Sequence, residues 1–369
     1  MRVVAPLLVW LACTPAAATQ LTTEVTAQAQ RLDAAVTAAF DEQRLVGLAV
    51  GVVEGGRVSQ TLFCGHSDRA REIEVGEATL FRWASISKPV TAIAAMQLAA
   101  AGRLDLDQDV RTLVPELPAK PWPITARQLL CHQGGVVHYT NGKVIATERT
   151  YTTPHPFEDV VVALDRFKES PLVAEPGTAY AYTTHGYMLL GAVVQRAGES
   201  PFWTQVRERI AEPAGLVTLQ PDYQWVELPQ RAVGYRRIGE RVVPSTDTDV
   251  SWKLAGGGFI SNVGDLARFA AALLDDTLLE RDVRERMWTN QTTRDGKRTG
   301  YGLGFSVSMV EGVRLVAHSG SQEKTRTLLQ LRPSEGRAVV LMSNSEWASL
   351  GPIADAVWQA LGPLESERR

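Results

Sequence analysis

Cysteine is scarce in this 369-residue chain, which holds three, at positions 13, 64 and 131. That excludes a disulfide-dense scaffold and any zinc-finger spacing. An excess of either charge is missing as well. Lys and Arg total 38 against 41 Asp and Glu, for a net charge of −3 and a pI of about 6.1. With no long basic run, no nucleic-acid partner is expected. No apolar run reaches the roughly 20 residues that a bilayer requires, so no membrane span is expected. Gly-x-Ser-x-Gly is absent, which argues against an α/β-hydrolase. Gly256-Gly257-Gly258 lacks the following Gly-Lys-Ser/Thr of a phosphate loop. His132 and His138 stand six apart with no third ligand spaced with them. Structural hydrogen bonding is expected of them, with no metal and no cofactor. His66, His155 and His185 receive no role.

Hydrophobic residues make up 45% of the chain, enough for one large domain or two coupled lobes. The N-terminus has its own character. Met1-Arg2 precedes an apolar run from Val3 to Leu11 and then Ala16-Ala17-Ala18. That pattern reads as a signal peptide over residues 1–18, cleaved before Thr19, and implies periplasmic or extracellular export. The alternative is a lipoprotein anchored through Cys13. Cys64 and Cys131 remain in the mature chain, either paired or simply buried.

Apolar residues Leu32, Ala35, Val36, Ala39 and Phe40 carry a helical period within residues 24–43. A hairpin follows, with strands over 47–53 and 58–64. The segment 255–259 reads as a turn, and 263–274 as a helix with Asp265 near its start. Tyr301 opens a strand series, in which 313–317, 325–331 and 338–343 alternate as neighbouring antiparallel strands. A helix over 352–361 closes the chain. Strands thus lie at both ends and short helical patterns in the middle. The expected class is α+β, an α/β sandwich. An antiparallel sheet is flanked by N- and C-terminal helices, and an all-helical lobe is inserted. The sheet lobe takes about 24–110 and 231–363, the helical lobe about 111–230, in a single catalytic domain over 19–369.

Ser85 and Lys88 are spaced to share one face of a helix, within Phe81-Arg82-Trp83-Ala84-Ser85-Ile86-Ser87-Lys88. Serine is a weak nucleophile until a base takes its proton. A lysine buried at a helix N-terminus has its pKa pushed down by burial and by the positive end of the dipole. Such a spacing arises by chance about once in a chain of this length, and Ser321 with Lys324 repeats it. Context separates the pairs. Residues 89–99 after Lys88 are apolar on a helical period, and Gly102 supplies a stop. Residues 325–331 after Lys324 read as a strand. Ser85 and Lys88 are therefore the candidates.

A serine hydrolase also needs a proton shuttle and an oxyanion hole. Tyr182 offers a phenol of ordinary pKa about 10, and a lysine ammonium beside it would favour the phenolate as base. His318-Ser319-Gly320-Ser321 lies on or beside a strand, where Gly320 admits a close backbone approach. The N–H of Ser321 could point at the same oxyanion as that of Ser85.

Ser85-x-x-Lys88, Tyr182-Thr183-Thr184 and His318-Ser319-Gly320, in this order, resemble the three motifs of class C β-lactamases and related penicillin-binding peptidases and esterases. The stretches 124–132, Pro176-Gly177 and 187–192 look alike too. The likeness is greatest to the family's mitochondrial serine β-lactamase-like branch, through His132, His138-Tyr139 and residues 253–259. It covers about 30–360. The resemblance implies a β-lactamase/transpeptidase-like fold, Ser85 as the acylated nucleophile and Lys88 as its partner. It makes Tyr182 the base for acylation and the proton donor to the leaving group. Thr184, His318, Ser319 and Gly320 would bind substrate, with the backbone N–H groups of Ser85 and Ser321 as the oxyanion hole. It leaves oligomer or filament formation open. Two positions depart from the family. Thr184 stands where asparagine is usual and offers fewer contacts to a substrate amide. His318 stands where many β-lactamases have lysine, and an imidazole of ordinary pKa about 6.5 is mostly uncharged at neutral pH. The expected function is an exported serine hydrolase. It would act through an acyl-enzyme on small amides or esters, including D-amino-acid peptide and β-lactam-like substrates. A carboxylesterase of the same fold and a non-catalytic penicillin-recognising scaffold are the alternatives. The expected partner is a small-molecule or peptide substrate.

Overall fold

The computed structural model describes residues 15–363, with side chains from residue 26 onward. Residues 1–14 lie outside the described residues, and with them Cys13 and most of the expected leader. The chain begins with α1 (Pro15–Gln43), β1 (Gly47–Glu54), β2 (Arg57–Asp68), β3 (Ile73–Glu74), β4 (Phe81–Arg82) and α2 (Ser87–Ala100). The middle carries α3 (Ala126–Leu130), α4 (Thr184–Ala197) and α5 (Phe202–Val206) between long irregular stretches. Next come β5 (Gln220–Pro221), β6 (Tyr235–Ile238), β7 (Arg241–Pro244), α6 (Leu254–Gly257), β8 (Phe259–Ser261), α7 (Val263–Leu274) and α8 (Arg281–Met287). The chain closes with β9 (Ser306–Val310), β10 (Val313–Gln322), β11 (Thr325–Arg332), β12 (Arg337–Ser343) and α9 (Leu350–Leu361).

Strand residues alternate between two faces, and β1 and β12 are apolar on both. Leu48, Val50 and Val52 of β1 join Val339 and Leu341 of β12 in packing against Leu32 and Val36 of α1 and Ile353 and Val357 of α9. Their other face, with Ala49, Val53, Ala338, Val340 and Met342, meets Val263, Leu266 and Ala267 of α7 in the main core. The helix-sheet-helix layering follows from this two-sided burial. The sheet is antiparallel and ordered β3-β2-β1-β12-β11-β10-β9, so the first strands of the chain pair with its last. α2 has 11 of its 14 residues buried, as a helix apolar around most of its circumference must. It runs through the centre against α4 and α6.

Several expectations change at the boundaries. The ladder between β10 and β11 continues to Gln322 opposite Thr325. It carries the expected 313–317 strand through His318-Ser319-Gly320-Ser321. Tyr301–Phe305 is a loop, with Tyr301 bridging Ser306, where β9 begins. The 255–259 turn resolves into α6 and β8. Gly102, at φ +70°, follows the C-terminus of α2. Cys64 and Cys131 are free thiols, so the paired reading is corrected. Cys131 is buried within the lobe and its Sγ donates to Arg127 O at 3.2 Å. No helix among the described residues is long and apolar enough to cross a membrane.

Candidate active site

Ser85 stands in a 3₁₀ turn, Ala84–Ile86, between β4 and α2. That is one turn before the α-helix proper, rather than inside it. Long-range bonds fix the approach. Trp83 N donates to Phe259 O at 2.8 Å, Thr325 Oγ1 to Arg82 O at 3.0 Å and Thr327 Oγ1 to Trp83 O at 2.9 Å. Trp83 Nε1 donates to Ser261 Oγ at 2.6 Å. They hold Ala84 at φ +47°, a conformation that costs a residue with a β-carbon of order 1–3 kcal/mol. Between residues 79 and 96, every residue except Ser85 is buried. The strain lifts one hydroxyl out of a buried run. Gly320 of β10 closes against this turn. A β-carbon there would sit 2.5 Å from Trp83 O and 3.0 Å from Ala84 Cβ.

Lys88 is fully buried, and its Nζ has three oxygen neighbours: Ser85 Oγ at 3.0 Å, Thr184 Oγ1 at 3.1 Å and Gly256 O at 2.8 Å. Burial pushes its pKa well below the lysine range, and the Lys253 ammonium pushes the same way. The Gly256 carbonyl is one that sequence reasoning missed, and a main-chain acceptor carries no residue signature by which to find it.

Tyr182 places its ring centroid 4.9 Å from Lys88 Nζ. The phenolate expected beside the lysine does not fit the surroundings. Burial pushes the phenol well above its usual pKa, and the hydrogen bond with Ser85 offsets this only in part. The segment around Tyr182 is pinned by the two histidines read as structural. His132 Nδ1 accepts from Thr183 N at 3.1 Å and His138 Nδ1 from Thr184 N at 3.2 Å. Thr183 Oγ1 donates to Val137 O at 2.8 Å and caps α4 by accepting from Gly186 N. An Nδ1 that accepts is unprotonated, so both rings are neutral with the proton on Nε2. Burial agrees, holding His132 well below the usual range and His138 at about 4.

On β10, His318 and Gly320 are buried while Ser319 and Ser321 are exposed, as alternation requires. His318 Nδ1 lies 2.8 Å from Ser319 O and Nε2 lies 3.0 Å from the Tyr301 hydroxyl. Burial lowers its pKa to about 3, so the ring carries no charge near neutrality. Tyr182 and His318 face each other with ring centroids 6.4 Å apart. The other Ser-x-x-Lys pair is unlike the first. Lys324 sits in the hairpin after β10 at φ +72°, with Nζ bonded to Asp247. Direct bonds thus join Ser85, Lys88 and Thr184. Tyr182 and His318 close around them, and Ser319 and Ser321 line the adjacent strand. Among the described residues no group of His, Cys, Asp and Glu could hold a metal.

Residues 32–360 match the family model described as Beta-lactamase. The mouse (Mus musculus) protein named serine beta-lactamase-like protein LACTB, mitochondrial, is 28% identical over 302 residues, covering 63% of this chain and 55% of that one. The chain spans about half the length of such curated relatives. Esterase EstB of Burkholderia gladioli is 33% identical over 199 residues, covering 51% of this chain and 50% of its own. Among solved structures, a D-stereospecific amidohydrolase from Streptomyces sp. superposes with a TM-score of 0.71 at 25% identity. It covers 88% of this chain and 98% of that one.

Proposed function

The chain belongs to the beta-lactamase family of serine hydrolases, and from that premise we propose that it forms an acyl-enzyme on Ser85 with small esters and amides, D-amino-acid peptides among them. The observation that carries this is the set of three oxygens around Lys88 Nζ. A neutral amine has two N–H donors and one lone pair. Gly256 O can only accept, and Thr184 Oγ1 takes the second N–H. The lone pair is left for the proton of Ser85.

Lys88 takes that proton as Ser85 Oγ bonds to the substrate carbonyl carbon. The N–H groups of Ser85 and Ser321 hold the oxyanion. The proton passes through Tyr182 to the leaving group as its bond to the carbonyl breaks. Water then attacks the ester, returns a proton by the same route and releases the acid with Ser85 restored. Tyr182 acts as donor because burial favours its neutral form, and Lys88 is the base because burial disfavours its charged form. Thr184 and the uncharged His318 offer a substrate carboxylate no positive charge from α4 or β10. The names of the esterase and the amidohydrolase support esters and amides as the substrate class. Residues 1–18 would be a leader for export, and a mature protein beginning at Thr19 on N-terminal sequencing is the expected outcome.

A fluorophosphonate probe followed by intact mass tests the assignment. One adduct is expected on the wild type and none on Ser85→Ala. Labelling that persists in Ser85→Ala sinks it, and an unlabelled wild type points to a binding protein. Lys88→Met should lower ester turnover by about 10²–10⁴-fold, the usual worth of a positioned base.

A further inference from the structure

Lys253 ends the 3₁₀ turn that leads into α6, three residues before the carbonyl that holds Lys88. Its side chain is partly buried against Trp252, with Nζ 5.8 Å from the ring centroid. Yet Nζ makes no hydrogen bond or ion pair with any described residue. A half-desolvated ammonium without a counter-charge is costly to keep. Three other cations near the cleft are committed. Arg82 is held by Asp222 and Thr248, Lys324 by Asp247, and Arg326 by the carbonyls of Gln322 and Thr325.

The surroundings of Lys253 reach both solvent and the reacting atoms. Trp252 takes the Arg166 guanidinium 5.2 Å from its ring and meets Tyr139 edge-on at 6.1 Å. Tyr139 is 45% exposed at one end of this wall and packs at a tilt on the His138 ring, centroids 4.2 Å apart, at the other. His138 holds the N–H of Thr184, which touches Lys88. The charges near Lys253 are the cations of Lys88 and Arg82 and the carboxylates of Glu323 and Asp249. Neither acid closes on its ammonium.

We propose that Lys253 is a specificity-determining residue whose ammonium binds a carboxylate of the substrate, so that the enzyme prefers acyl compounds with a free carboxylate to their neutral counterparts. The inference rests on the acyl-enzyme reading above. It supplies from the turn before α6 the charge that His318 of β10 does not carry. Burial pushes the Lys253 pKa down, and an arriving carboxylate would draw it back up.

The test uses two matched pairs of esters. One pair carries the charge on the acyl side, p-nitrophenyl hydrogen glutarate against its carboxamide. The other carries it on the leaving group, an acyl-glycyl ester of 3-hydroxybenzoate against that of 3-hydroxybenzamide. The readout is the ratio of kcat/KM, carboxylate over amide, within each pair. The wild type should favour the carboxylate about tenfold or more in at least one pair. Lys253→Met should remove most of that preference, Lys253→Glu should invert it, and Lys253→Arg should keep it. A wild-type ratio near one in both pairs, or a ratio unmoved in Lys253→Met, overturns the proposal. Equal loss on both members also overturns it, since that would mean Lys253 acts only through Lys88. Protection of Ser85 from the fluorophosphonate by glutarate against glutaramide reads the same preference without turnover, and equal protection would overturn it. The Ser85→Ala control separates the two readings. If that variant still turns over the esters, the nucleophile is wrong whatever the ratio.

Discussion

Lysine keeps its proton to about pH 10 in water, so its use as a base near neutrality depends on what surrounds it. At Lys88 burial is the larger cause and the Lys253 cation the smaller. The acid limb of kcat/KM for a neutral ester should therefore report Lys88. His318 stays neutral down to about 3, and His138 and His185 down to about 4. Removing the Lys253 charge makes Lys88 easier to protonate, which raises its pKa. The limb of Lys253→Met should then lie at higher pH than that of the wild type. A limb displaced to lower pH would contradict this assignment of the base. Tyr182 gives a second residue-level prediction. A p-nitrophenolate leaves without a proton, whereas an amine must be protonated to depart. Tyr182→Phe should depress amide hydrolysis by at least about tenfold more than p-nitrophenyl ester hydrolysis, read as the ratio of the two kcat/KM values. Equal losses on both substrates would show that the hydroxyl does not serve the leaving group.

Elements set the distances on which those residues depend. β10 reaches the Ser85 turn because position 320 has no side chain. A β-carbon there would lie 2.1 Å from Thr327 Oγ1 and 2.5 Å from Trp83 O. Both are parts of the bond that fixes the turn. Gly320→Ala must push strand and turn apart, at about 1–3 kcal/mol of stability for the overpacking. A midpoint lowered in urea, together with slower fluorophosphonate labelling, is the expected result. Normal labelling would mean that the turn does not need the strand. The same comparison shows what the sequence could reveal. α2 and α7 were readable because their apolar residues recur on a helical period, β1 because an apolar run ends in a turn and a returning strand, and β12 because its residues were read as alternating beside β11. The Ser-x-x-Lys pair could be chosen from its duplicate because a helix follows one copy and a strand the other. The left-handed φ of Ala84 was not readable, since it is imposed by Thr325 and by Thr327, 243 positions beyond their partners in one case and 244 in the other. Nor was the direction of the Tyr182 pKa, which depends on burial beside Tyr180 and Tyr139. Lys253 was visible only as part of a stretch shared with relatives, because an unpaired ammonium is a fact of packing.

Across the whole molecule, the site lies where four parts of the chain meet: the turn after β4, the segment from His132 to His185, α6, and β10. Histidines mark that junction, and they are buried in neutral form. Free histidine titrates at about 6.5, whereas His185 and His138 are held at about 4 and His318 at about 3, in each case chiefly by burial. The unfolded chain therefore binds more protons than the folded one between those values. The sign follows from linkage: folding is favoured fully above about pH 6.5, and the advantage is lost as pH falls through the folded values. Thermal stability should drop steeply from pH 7 to pH 4. His185 contributes through a ring stacked 4.7 Å from Phe167, with Nδ1 3.0 Å from Val137 O. His185→Gln removes one of these titrations while leaving an amide that can donate to the same carbonyl. Its melting temperature should be lower than that of the wild type at pH 7, but the gap should narrow as the pH approaches 4. A gap that stays constant over that range would mean that His185 does not couple protons to folding. The junction would then owe its acid sensitivity to the histidines nearer Lys88.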